Sequence, residues 1–138
     1  MDALKPEKNL HVALVDPSRQ QLLLERRDIF VASPTEISKV ELHLPSQLLP
    51  ENTSPERCAN RLIQSRLNIA TSAFAGLGVI GDNYGYAVRP ASLTEVKEPA
   101  YGLELHSVES LNENKELLTD HTFNFALRAL AHTQKRRY

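Results

Sequence analysis

Arg26, Arg27, Arg61 and Arg66 are the side chains of this 138-residue sequence whose type and placement best suit chemistry. A guanidinium is a planar fork of N–H donors that matches the oxygens of a phosphate. The plainer reading has Arg61 paired with a local carboxylate and Arg66 solvated, and it is preferred on the residues alone. Other reactive types form no working group. His11, His43, His106, His121 and His132 are scattered without the spacing of a zinc pair, and each reads as a strand or surface residue. Cys58 falls beside an apolar stripe at helical spacing, which makes it a packed, inert thiol and not a nucleophile. There is no nucleophile elbow, and Gly76-Leu77-Gly78 reads as close packing inside a strand, not as a phosphate cradle.

Two of these arginines lie in the stretch around which the chain is organised, from Asn52 to Ile69. Ser54 is an N-cap, Pro55 suits the first helical position, and Glu56 suits the positive helix end. Ala59, Leu62, Ile63 and Leu67 recur at helical spacing, and Asn68 can close the helix in the left-handed region.

The remaining elements follow from period and punctuation. Leu10 to Val15 reads as an aliphatic strand buried on both faces. Asp16-Pro17-Ser18-Arg19 is a turn, and Gln20 to Arg26 a second strand. Asp28 to Ser33 is a short apolar piece, followed by a turn at Pro34-Thr35-Glu36. Ile37 to Leu44 alternates apolar and polar residues as a half-buried strand does. Pro45 to Pro50 is a glycine-free approach to the helix. Ala70 to Ile80 and Tyr84 to Val88 form a hairpin about Gly81-Asp82-Asn83, and Arg89 to Pro99 is a polar connector. Tyr101 to Val108 is a last strand. A closing helix is capped by Thr119 or Asp120, with Phe123, Ala126, Leu127, Leu130 and Ala131 as its apolar face.

Composition bounds the function. The length fits one domain, residues 1–138, with a core from about 10 to 131 and peripheral ends at 1–9 and 132–138. A net charge of -1 argues against general nucleic-acid binding or attachment to anionic membranes. The lone cysteine fits a reducing compartment, and no segment reads as a signal peptide or membrane span, so a cytoplasmic location is expected.

The stretch from Asn52 to Ile69 resembles the signature helix of the Nudix hydrolases. The frame is kept in Ser54-Pro55-Glu56, in Arg61 at the signature arginine, and in Ile63 and Ile69 at the aliphatic positions. The opening hairpin with Leu22-Leu23-Leu24-Glu25-Arg26-Arg27, the step at Ser107 to Leu111 and the terminal helix opening also resemble the family. The resemblance implies an α/β fold, an α/β/α sandwich with a mixed sheet between helices.

The family's chemistry needs carboxylates that hold Mg²⁺ or Mn²⁺ against a diphosphate. Here the signature glutamates fall on Thr53, Leu62, Ser65 and Arg66, and the two glycines on Gln47 and Asn68. Residues 62–69 hold no glutamate in any register. The resemblance therefore implies a module with no metal and no hydrolase site, which binds a protein or a nucleotide-like ligand through Arg61, Arg66 and Arg27. The alternative is a divergent hydrolase of a nucleoside diphosphate linked to another group, with Mg²⁺ or Mn²⁺ held elsewhere. Glu51, Glu56, Glu98 and Glu104 are its candidate carboxylates, with Glu104 as the base because it matches a late glutamate of the family. A homodimer is a further expectation.

Overall fold

The computed structural model describes residues 8–16, 20–30, 38–50, 52–90 and 103–135. Strand β1 (Lys8–Asp16) lies at the centre, and its residues from Leu10 to Asp16 are all buried. That is why the segment is nearly continuous in aliphatic residues and not alternating: it is covered on both faces. Strand β2 (Gln21–Phe30) pairs antiparallel with its end, placing Val15 opposite Leu22. Strand β3 (Ser38–His43) pairs antiparallel with β2, so that His43 lies opposite Glu25 and Glu41 opposite Arg27. On the other side, β6 (Asn83–Pro90) runs parallel to β1 and makes a hairpin with β5 (Thr71–Ile80). The resulting order is β3-β2-β1-β6-β5, with β4 (Ser46–Leu49) added to β1 and β7 (Leu103–His106) added to β2.

Two elements differ from the sequence-based expectation. The approach to the helix contains a strand, β4 (Ser46–Leu49), antiparallel to β1 with His11 opposite Ser46. Its prolines stand outside the ladder, at positions 45 and 50, where a missing N–H costs nothing, and the Pro45 carbonyl accepts from the Val12 amide at 2.8 Å. The strand expected to stop at Arg26 continues to Phe30, because β3 supplies a partner from Glu25 to Phe30. The expected turns over residues 17–19 and 34–36, and the connector over 91–99, lie outside the described residues.

Helix α1 (Pro55–Leu67) starts and ends as its sequence directs. The Ser54 side chain accepts from the Arg57 amide, and Asn68 takes φ 55° at the C-terminus, its amide bonding Gln64. Cys58, Ala59, Leu62 and Ile63 pack with Leu10, Val12, Leu14 and Leu23 on one face of the sheet. Helix α2 (Val108–Glu113) and a 3-10 turn (Lys115–Leu117) lead to α3 (Asp120–Lys135) on the other face. There Phe125, Ala126, Ala129 and Leu130 meet Ala13, Val15, Leu22, Leu24 and Leu42. The buried stripe of α3 is thus centred on Phe125, and Ala131, expected in it, is exposed. Gly85 sets that rotation, since a Cβ there would lie 2.5 Å from the Phe125 ring. The layers are helix, mixed sheet, helix.

Candidate functional site

The alternation of β2 sorts the polar residues onto two faces. Leu23 belongs to the core under α1, and Leu24 to the core under α3. Glu25 and Arg27 share the parity of Leu23 and face α1; Arg26 shares that of Leu24 and faces α3. Cross-strand partners lie on one face, so His43 and Glu41 join Glu25 and Arg27. Glu104, paired with Leu24, joins Arg26.

On the α1 face, Arg66 reaches from the last turn of the helix to the Glu25 carboxylate, its Nη1 donating to Oε1. Arg27 donates from Nη2 to the second oxygen at 2.9 Å. The Glu25 side chain is only 9% exposed, while those of Arg27 and Arg66 are 42% and 45% exposed. The carboxylate is therefore an internal anchor, and both guanidiniums keep donors towards solvent. Beside them His43 donates from Nε2 to Glu41 at 3.2 Å.

The four positions that replace the signature glutamates are now placed. Thr53 precedes the N-cap, and Leu62 is buried in the core under α1. The Ser65 hydroxyl turns back to the Leu62 carbonyl at 3.1 Å, and Arg66 is held on Glu25. The preferred reading of the arginines is reversed. Arg66 is ion-paired, whereas Arg61 is exposed and has no ion-pair partner among the described residues. The reason is rotation around α1: position 66 turns over the sheet edge towards β2, and position 61 turns away from it. Arg27 and Arg66 come together; Arg61 does not join them through any bond among the described residues.

Glu104 lies elsewhere. Arg26 holds it through Nε at 2.5 Å and Nη2 at 3.1 Å, and His106 donates to it from Nε2 at 3.0 Å. Ser110 in turn donates to His106 Nδ1 at 2.7 Å, with the ring nitrogens assigned from these partners. The Arg26 guanidinium, against a smaller effect of burial, keeps the Glu104 carboxyl below its ordinary range. An acid so stabilised as its anion is a poor proton acceptor. The sheet separates it from Arg66. Glu56 is exposed at the start of α1, and Glu51 and Glu98 lie outside the described residues.

A second group brings together distant histidines. The His11 and His121 rings lie 4.7 Å apart at the start of α3, and His11 Nε2 donates to Asn83 at 2.7 Å. Among the described residues no group of three or more His, Cys, Asp or Glu could hold a metal ion.

The sequence matches no protein-family model and no curated protein. Solved structures do match over nearly the whole chain. A Nudix hydrolase from Nitrosomonas europaea superposes with a TM-score of 0.61 at 12% identity, covering 97% of each chain. An ADP-ribose pyrophosphatase from Streptococcus suis gives 0.60 at 10% identity, over 97% of this chain and 94% of that one. The fold is that of the Nudix hydrolases. A UDP-X diphosphatase also matches, with a TM-score of 0.58 at 13% identity, over 99% of this chain and 67% of that one.

Set against the metal that Nudix hydrolysis employs, the donor set on the α1 face does not fit. Mg²⁺ and Mn²⁺ take hard oxygen ligands, and the helix offers a buried leucine, a serine bonded to its own helix and a guanidinium. Of the two buried carboxylates that strand parity puts on this face among the described residues, Asp16 and Glu25, the latter already has an arginine on each oxygen.

The sequence pointed to Arg27 and Arg66 but passed over Glu25, His106 and Ser110. Glu25 carried a signal: within Leu22-Leu23-Leu24-Glu25-Arg26-Arg27 it shares the parity of Leu23, so one face of that strand had to bury a carboxylate. His106 and Ser110 stand four apart across a strand-to-helix step, a spacing without meaning until the step is built.

Proposed function

We propose that this chain is a Nudix-fold binding module that does not hydrolyse its ligand, a protein or a nucleotide-like molecule held at the α1 face. The observation that carries the reading is the Arg66–Glu25 ion pair, which puts a fixed positive charge where hydrolysis would need carboxylates around a dication. Glu104, the base of the competing hydrolase reading, supports it as well. That carboxylate lies across the sheet and is engaged by Arg26 and His106. A Nudix hydrolase, an ADP-ribose pyrophosphatase and a UDP-X diphosphatase are among the solved structures that share the fold, and this makes turnover the property to test.

The test is incubation with nucleoside triphosphates, ADP-ribose, dinucleoside polyphosphates and NADH in Mg²⁺ or Mn²⁺, with products separated by chromatography. The expected result is no cleavage by protein that is folded by circular dichroism. Metal-dependent cleavage that disappears in Glu104→Gln would establish the hydrolase instead.

A further inference from the structure

The mismatch between the α1 face and a dication has its own chemistry. Glu25 presents two oxygens, one bonded by Arg66 from α1 and the other by Arg27 from β2. Each guanidinium has five N–H groups, and one nitrogen of each is engaged on Glu25. With two cations on one anion, the trio carries a net charge of +1 (2 − 1). Its negative part is buried and its positive parts face solvent. The two forks are also preorganised, because a shared carboxylate fixes both and reduces the side-chain entropy lost on binding. Two further carboxylates share this face by strand parity: buried Asp16, and Glu41, which lies opposite Arg27 and is bonded by His43.

We propose that Arg27 and Arg66, anchored by Glu25, form a metal-independent binding site for a phosphate-bearing anion, with Arg66 supplying from the chain the positive charge a dication would bring. The proposal deepens the non-catalytic reading and rests on it for the location of the ligand. It makes a distinct demand, however: affinity for phosphate oxygens must survive complete removal of divalent cations. Free phosphate compounds and nucleotides share this chemistry, and the sugar and base decide between them.

The experiment is calorimetric titration of the folded protein with inorganic pyrophosphate, ADP and adenosine, in EDTA and again in Mg²⁺. Pyrophosphate and ADP are expected to bind in EDTA, and adenosine is expected not to. Equal affinities would mark a phosphate site, and a tighter ADP would mark a nucleotide site. Arg27→Gln and Arg66→Gln, each checked for folding, are each expected to weaken binding about tenfold or more, the loss of one charge-assisted contact. Arg27→Gln leaves the Arg66–Glu25 pair intact, so it stays informative if the other variant unfolds. Absence of pyrophosphate binding in EDTA, binding that requires Mg²⁺, or undiminished binding by Arg27→Gln would each overturn the proposal. Cleavage of nucleotides by the wild-type protein would sink the non-catalytic reading while leaving the titration in EDTA to judge the clamp.

Discussion

Arg26 and Arg27 are adjacent in sequence and engage carboxylates on opposite faces of the sheet: Arg26 bonds Glu104 on the α3 side, and Arg27 bonds Glu25 on the α1 side. One strand therefore feeds two separate ion-pair systems, joined covalently and placed on opposite faces of the sheet. The candidate site belongs to the second, since only that face receives α1.

Breaking the clamp is expected to cost stability unevenly. Glu25→Gln leaves Arg66 and Arg27 without their shared anion and is expected to cost about 1–3 kcal/mol in urea unfolding. Arg66→Met is expected to cost less, because its side chain is 45% exposed and well screened. The double variant measures the pair itself, with an expected coupling of about 0.5 kcal/mol or more. Strict additivity would mean that the pair is not formed in solution.

Stability is expected to fall with acid in two stages. Burial lowers the pKa of both His11 and His121 from 6.5. The Asn83 bond and Asp120 oppose this, while His43 (near both rings) and Arg27 (near His11) add to it. A histidine kept neutral by folding takes up its proton more readily when unfolded, so stability is lost as pH falls below 6.5. Glu104, held as its anion chiefly by Arg26, contributes stability that is lost only below 4.5, the ordinary value. Thermal melts across this range should show both steps. His121→Gln should flatten the upper one and leave the lower unchanged.

Gly85 is expected to tolerate no side chain. A methyl group would meet the Phe125 ring at 2.5 Å, between β6 and the centre of α3. Gly85→Ala should cost about 1–3 kcal/mol by overpacking. Combination with Phe125→Leu should recover part of the loss, and full additivity would show that the contact is not the cause.

Cys58 is only 5% exposed, packed between α1 and β1. A thiol buried in apolar surroundings reacts slowly with aqueous disulfide reagents. The native protein should leave it unmodified while denatured protein titrates one thiol per chain. Rapid labelling of the native state would mean that α1 opens readily from the sheet.

Local chemistry determined much of this protein. Ser54, Pro55 and Asn68 set the ends of α1 within a residue, because caps act on groups no more than a turn away. The aliphatic run of β1 announced burial on both faces, and the hairpin of β5 and β6 formed about Gly81 as its turn residues direct. The loss of carboxylates from the signature helix was also legible, since composition does not depend on register. What replaced them was not. β4 exists only because β1 offers it an unpaired edge, and Phe125 enters the core more deeply than Phe123, in the room that Gly85 leaves. Arg66 finds Glu25 across 41 residues of chain, and Glu104 ends on the far face through the single register that pairs it with Leu24. Partners of that kind are chosen by sheet order and strand parity, which exist only once distant segments have paired.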